Sequence, residues 1–274
     1  MNLIDVRHLG RERVIGCWEL DGVLIDPGPT SSMENLIEQL GGEEPRALLL
    51  THIHLDHAGA SGNLVRRWPE LPVYVHERGA RHLADPAKLL ASAERLYGDQ
   101  LERLWGEVAA VPEQNLRPLS GGEEVLGFRV AYTPGHASHH VSYLHPPTGR
   151  AFVGDTAAVR IPPSKFVMPP TPPPDIDLEL WEDSIDRILD WRPDSLGLTH
   201  FDAIEEPEAH LELVRRRLRE QGELAGELSS EEFERRIREQ PAGRADPETL
   251  EALLQAVPPE QQWAGLDRYL SKRR

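Results

Sequence analysis

The chain of 274 residues contains a single cysteine, Cys17. One thiol excludes an internal disulfide framework and fits the reducing interior of a cell, so a cytoplasmic location is expected. Cys17 stands in an apolar run and reads as a small buried strand residue rather than a reactive thiol. Long hydrophobic runs are also lacking. No stretch reaches the roughly 18 apolar residues of a membrane-spanning helix, so no membrane partner is expected. The segment MNLIDVRHLG (1–10) has no basic stretch followed by an apolar one, which predicts no secretory signal. Positive charge is scarce as well. Thirty Lys and Arg face 46 Asp and Glu, for a net charge of -16. Such a chain repels phosphate backbones, and no nucleic-acid partner is expected. Its most basic stretch, RRRLRE (215–220), lies in a glutamate-rich helical pattern and reads as a solvated helix face. With 39% apolar residues and a mean hydropathy of -0.47, the chain reads as a soluble globular protein.

Short apolar runs alternate with helical stretches up to about residue 205. The pattern predicts strands at 13–26 (a hairpin turning at Asp21-Gly22), 47–51, 72–76, 125–133, 140–145, 150–155 and 195–199. Helices are predicted at 31–41, 58–68 and 181–191, the last with Ile185, Ile188 and Leu189 at helical spacing. This interleaving indicates an α/β fold class. Residues 78–114 read as a helical insertion. Residues 161–175 hold seven prolines and are expected to form a stiff surface loop. From 206 to 274 the pattern is one of short helices, a C-terminal extension expected to cover the site or to pair two subunits as a homodimer.

What the chain does have is THIHLDHAGA (51–60), with His52, His54, Asp56 and His57 packed into six positions. Imidazole and carboxylate are common ligands for zinc and similar divalent ions. The first two histidines are two apart, so this is not the helical pair of a zinc helix. The cluster follows the apolar run ALLL, where a sharp loop can send alternate side chains to two metals. Three more candidates also follow apolar runs: His136 in TPGHASHH, Asp155 in FVGDTA and His200 in LGLTHFD. Side chains at the ends of neighbouring strands collect at one sheet edge. Two divalent ions about 3.5–4 Å apart lower the pKa of a shared water and polarise a carbonyl, which suits hydrolysis.

The ordered set of a His-x-His-x-Asp-His loop, then His136, Asp155 and His200, resembles the signature of the metallo-β-lactamase superfamily. The resemblance spans about 1–205 and implies a four-layer αβ/βα sandwich with a two-metal site at one edge. It implies that His52, His54 and His136 bind one metal, that Asp56, His57 and His200 bind the other, and that Asp155 bridges them. Zinc is the metal it implies first, with iron or manganese as alternatives. Asp26, in LIDPGPTS (24–31), becomes a structural residue beside the ligands. GHASHH is similar to the GH-T-x-GH stretch of the glyoxalase II branch, with His139 in place of the usual glycine and His140 matching the second histidine. Asp56 and His140 are thereby assigned to catalysis, Asp56 as a metal ligand and His140 as support for the site.

The activity implied is hydrolysis of a small thioester or ester, in the manner of hydroxyacylglutathione hydrolases. A lactonase is the alternative, with 78–114 building an apolar pocket for an acyl chain. A mononuclear iron dioxygenase would need only His52, His136 and Asp155, and a non-catalytic sensor would be expected to lack ligands. Tyr97 and Trp105 are candidates for the pocket wall, and Phe166 and Met168 for residues lying over the metals.

Overall fold

The computed structural model describes residues 1–273; Arg274, the last residue of the expected extension, lies outside the described residues. Two six-stranded sheets form the frame. The first holds β1 (Asn2–Asp5), β2 (Gly16–Leu20), β3 (Val23–Ile25), β4 (Ala47–Leu49), β5 (Val73–His76) and β6 (Leu116–Leu119), in chain order. Its first three strands pair antiparallel, and the steps from β3 to β6 are parallel. The second holds β7 (Glu124–Val125), β8 (Phe128–Tyr132), β9 (Val141–His145), β10 (Arg150–Phe152), β11 (Ser195–Gly197) and β12 (Ala203–Ile204). There only β10 and β11 run parallel.

Strands apolar on both faces must be covered on both. On the inner side Trp18, Ile25 and Leu49 of the first sheet share one cluster with Phe128, Tyr143 and Phe152 of the second. The other faces pack under helices. These are α1 (Met33–Gln39), α2 (Leu55–Ala58), α3 (Ser61–Arg67), α4 (Glu77–Ala84), α5 (Ala87–Tyr97), α6 (Leu101–Trp105) and α7 (Leu178–Asp190). They are followed by α8 (Pro207–Glu227), α9 (Ser230–Glu239), α10 (Pro247–Ala256) and α11 (Pro259–Ser271). The chain therefore has the four-layer sandwich that the resemblance implies. Cys17 is fully buried in β2, and no described helix is long and apolar enough to cross a membrane.

Several expected boundaries shift for local reasons. The single strand expected at 125–133 folds into a hairpin, because Leu126 and Gly127 take φ of 53° and 86°. The strand expected at 150–155 ends at Phe152, and a 3₁₀ turn over Gly154–Ala157 carries Asp155 instead. The helix expected at 58–68 begins earlier, at Leu55, and breaks into α2 and α3. The insertion at 78–114 is helical only as far as Trp105. Strands β1, β6 and β12 carry no clear signal in the sequence, since β6 reads LRPL and β12 has two residues.

The extension 206–273 is tied into the same core as the sheets. Leu211, Val214 and Leu218 of α8, Phe233 and Ile237 of α9, Leu253 of α10 and Leu266 of α11 are all buried there. Ser229 and Glu232 form a reciprocal cap at the start of α9, and Asp246 accepts from the Thr249 N–H at the start of α10. The proline-rich stretch 161–175, expected as a surface loop, is buried over 166–171 and runs as a strap under α11. Its Thr171 N–H donates to the Gln262 side chain of α11, and the Thr171 hydroxyl donates to the Gln262 carbonyl at 3.2 Å.

Candidate metal centre

Four chain segments end at one edge of the sandwich and bring the seven candidate ligand side chains together. His52 and His54 lie in the loop after β4, Asp56 and His57 in α2, His136 between β8 and β9, Asp155 after β10, and His200 after β11. His52, His54, His136 and Asp155 form one group of convergent ligand atoms; Asp56, His57 and His200 form a second. In the first, His54 Nδ1 lies 3.0 Å from His52 Nε2 and 2.9 Å from His136 Nε2. Asp155 spans both. Its Oδ2 is 3.2 Å from His136 Nε2, and its Oδ1 is 3.2 Å from His57 Nε2 and 3.7 Å from His200 Nε2. Asp56 Oδ2 completes the second group, 3.3 Å from His200 Nε2.

The outward nitrogens of four imidazoles fix what the inward ones can do. His136 Nδ1 faces the Pro170 carbonyl at 3.0 Å and His200 Nδ1 the Val14 carbonyl at 2.7 Å. Carbonyls only accept, so both Nδ1 atoms carry hydrogen and the neutral rings offer Nε2 lone pairs to the centre. His57 Nδ1 lies 2.7 Å from Asp26 Oδ2, with the same consequence. The Thr51 hydroxyl donates to Asp26 Oδ2, so it accepts from His52 Nδ1 and leaves His52 Nε2 free as well. Convergent lone pairs repel unless a cation sits among them. Two atoms state the need directly: His57 Nε2 and Asp155 Oδ1 are buried without a hydrogen-bond partner. The donor set is nitrogen and oxygen only, which fits borderline divalent ions.

Electrostatics agree. Burial pushes His136 down to about 4 and His52 well below the usual imidazole range, so both rings are neutral ligands at neutral pH. Burial alone would lower His57 too, but the carboxylates of Asp155, Asp26 and Asp56 outweigh it and hold that ring well above its ordinary value. Asp155 responds in kind. Burial would raise it, yet His57 and His136 keep it well below the ordinary carboxylate range. Without a metal, the second group attracts a proton where a cation would sit.

Asp26 is fully buried behind this layer. Its Oδ1 accepts from the Thr51 N–H at 2.8 Å, and its Oδ2 from the Thr51 and Thr199 hydroxyls at 2.7 and 2.8 Å. One carboxylate thus joins the ends of β3, β4 and β11 and orients His57. His140 is also enclosed. Its ring stacks on His52 at 5.0 Å and its Nδ1 meets the Thr133 hydroxyl at 3.0 Å. It does not line the cavity and packs on His52, a place that suits support for the site rather than contact with substrate. Gly154 makes this packing possible, since a Cβ there would come within 2.8 Å of His140 Nε2.

The centre opens on a cavity of about 1090 Å³. Tyr97 and Trp105 line it, as do Ala93, Leu96 and Leu104, which give the α5–α6 side an apolar wall. Phe166 and Met168 do not lie over the metals. Both are buried in the core, Met168 paired with Val159, and the strap instead presents Pro170 and Pro172–Pro174 to the cavity. Two contributors escaped the sequence. His8 stacks on Trp105 at 5.2 Å, and Gln255 of α10 bonds to His8. Nothing local marks either, because each is placed by partners about a hundred or more residues away.

The model of the metallo-beta-lactamase superfamily matches residues 19–200. A metallo-beta-lactamase fold-containing protein of Sulfurisphaera tokodaii is 31% identical over 193 residues, 67% of this chain and 70% of that one. The crystal structure of the same archaeal protein superposes with a TM-score of 0.74 at 24% identity, covering 97% of both chains. Its coverage includes the C-terminal helices. A hydroxyacylglutathione hydrolase of Pectobacterium atrosepticum is 30% identical over 161 residues, 57% of this chain and only 51% of its own length. A crystal structure of TTHA1623 in a di-iron-bound form matches with a TM-score of 0.55 at 28% identity, over 71% of this chain and 92% of that one. The chain belongs to the metallo-β-lactamase superfamily and is a metallo-hydrolase of that fold.

Proposed function

We propose that the protein hydrolyses a small thioester or ester, in the manner of the hydroxyacylglutathione hydrolases it resembles, with two zinc ions at the centre. The observation that carries this reading is Asp155, whose two oxygens face two separate groups of ligand atoms at the floor of an open cavity. Two divalent ions held there would supply an activated water and a polarised carbonyl. The chain's own residues do the rest. Asp26, Thr51, Pro170 and Val14 fix the ring orientations, and the walls hold the acyl group over the centre and limit water.

The apolar wall of α5 and α6 favours a second reading, a lactonase whose acyl chain lies along Ala93, Leu96 and Leu104. Turnover of metal-loaded protein on an acyl thioester and on a lactone of matched chain length separates the two. Thioester preference supports the first reading and lactone preference the second. No turnover of either would overturn both; so would one iron per chain on metal analysis, because Asp56, His57 and His200 would then serve no second ion.

A further inference from the structure

His139 lines the cavity beside the centre, and no ligand role absorbs it. It stands where the glyoxalase II pattern has glycine, so the chain carries an imidazole that the pattern does not provide. Its ring is edge-on to His54, with centroids 5.7 Å apart, and stacks over His52 at 6.2 Å. The residue is buried yet lines the cavity. Gly79 of α4 packs beside it, where a Cβ would be in ordinary contact with the His139 Cβ at 3.5 Å but would crowd Ile53 Cγ2 at 2.8 Å.

The backbone settles which nitrogen carries hydrogen. The Ile53 N–H donates to His139 Nδ1 at 3.4 Å, so Nδ1 is an acceptor. A neutral ring then bears its hydrogen on Nε2. Among the described residues Nε2 makes no hydrogen bond, and it is absent from the sealed polar atoms that include His57 Nε2 and His140 Nε2. Its hydrogen is therefore left without a protein partner on a residue that lines the cavity.

We infer that His139 is a specificity-determining donor, whose Nε2–H receives an oxygen on the carbon next to the scissile carbonyl. This rests on the acyl-hydrolase reading for the identity of the substrate, but not for the geometry of the donor. Because the ring packs against His54, what it can reach lies beside the centre. A site built around such a donor disfavours the analogue lacking the oxygen, since the donor is then desolvated without a partner.

The test pairs two substrates with two variants. S-lactoylglutathione and S-propionylglutathione differ by one hydroxyl at that carbon. His139→Asn keeps an acceptor for the Ile53 N–H and removes the cavity donor; His139→Gln restores a donor near the Nε2 position. The wild type is expected to favour the lactoyl ester by about tenfold in kcat/KM. His139→Asn should bring the ratio near one, and His139→Gln should recover part of it. In parallel, calorimetry on the metal-loaded protein compares lactate with propionate, and the same preference and the same loss are expected. Binding discrimination lost in His139→Asn, with neither thioester hydrolysed, would sink the thioesterase reading and leave the donor in place. A wild type blind to the hydroxyl in both measurements, or a His139→Asn variant that keeps full discrimination, would overturn the inference. Equal losses on both substrates in both variants would also overturn it, as a purely structural role predicts.

Discussion

Asp26 Oδ2 lies 2.7 Å from His57 Nδ1, and the two side chains are fully buried. The pair joins the end of β3 to the second group of ligands. It fixes the ring so that Nε2 faces Asp155, and the carboxylate makes the imidazole a stronger ligand. Asp26 adopts φ of 52°, a left-handed conformation that Asp tolerates better than most residues, and its position is held by three further hydrogen bonds.

Replacing Asp26 by Asn keeps the shape and removes the charge. The second metal should bind about tenfold to a hundredfold more weakly, with the first little changed. Metal titration followed by calorimetry reads the two sites separately. Equal weakening at both sites would show that Asp26 acts through the general fold rather than through His57.

Asp155 is the only described carboxylate with oxygens in both groups. Asp155→Asn should reduce turnover by at least a hundredfold and metal content to one ion or fewer per chain. His54→Ala should also abolish turnover, with the far-ultraviolet dichroism of both variants unchanged. Full turnover by either would refute a reaction run at this centre.

The ligand set was readable because its spacing is strict and each group follows an apolar run that has to be a strand. His52, His54, Asp56, His57, His136, Asp155 and His200 needed no knowledge of long-range packing. Asp26 was readable through the resemblance alone. What could not be read was the cover. The residue pattern predicts helices within 78–114 and 206–274, but not which faces lie over the site. His8 is placed by Trp105, 97 positions along the chain, and the strap turns prolines to the cavity while burying Phe166 and Met168. β6 was missed because its LRPL sequence has neither clean alternation nor an apolar run, and parallel pairing with β5 supplies what the pattern lacks.

Gly265 of α11 lies flush against the strap. A Cβ at that position would be 2.0 Å from the Thr171 carbonyl oxygen, a backbone atom that cannot swing aside. Gly265→Ala gains helix propensity, yet it should destabilise the protein by about 1–3 kcal/mol because α11 must move off the strap. Urea unfolding measures the change. An unchanged or raised midpoint would mean that α11 is not seated on Thr171. The same contact predicts that truncation after Gly222 leaves no folded remainder. It removes Phe233, Ile237, Leu253, Val257 and Leu266 from the core, and burial of five such side chains is worth on the order of 10 kcal/mol.

His210 of α8 ties the extension to the turn that carries Asp155. Its Nε2–H donates to the Ala157 carbonyl at 2.8 Å, two residues beyond Asp155. Burial lowers its pKa to about 4 from an ordinary 6.5, against the opposing pull of that carbonyl. The folded pKa is below the unfolded one, so protons bind preferentially to the unfolded chain. The stability at stake is complete above about pH 6.5 and is lost as pH falls towards 4, to a total of about 3 kcal/mol. His210→Gln keeps an N–H for Ala157 and removes the titration. Between about pH 7 and pH 4.5 the metal-free variant should therefore lose less stability than the metal-free wild type, by about 2 kcal/mol in urea unfolding. Parallel pH profiles for the two proteins would assign the acid sensitivity to other groups and leave His210 with a purely mechanical tie.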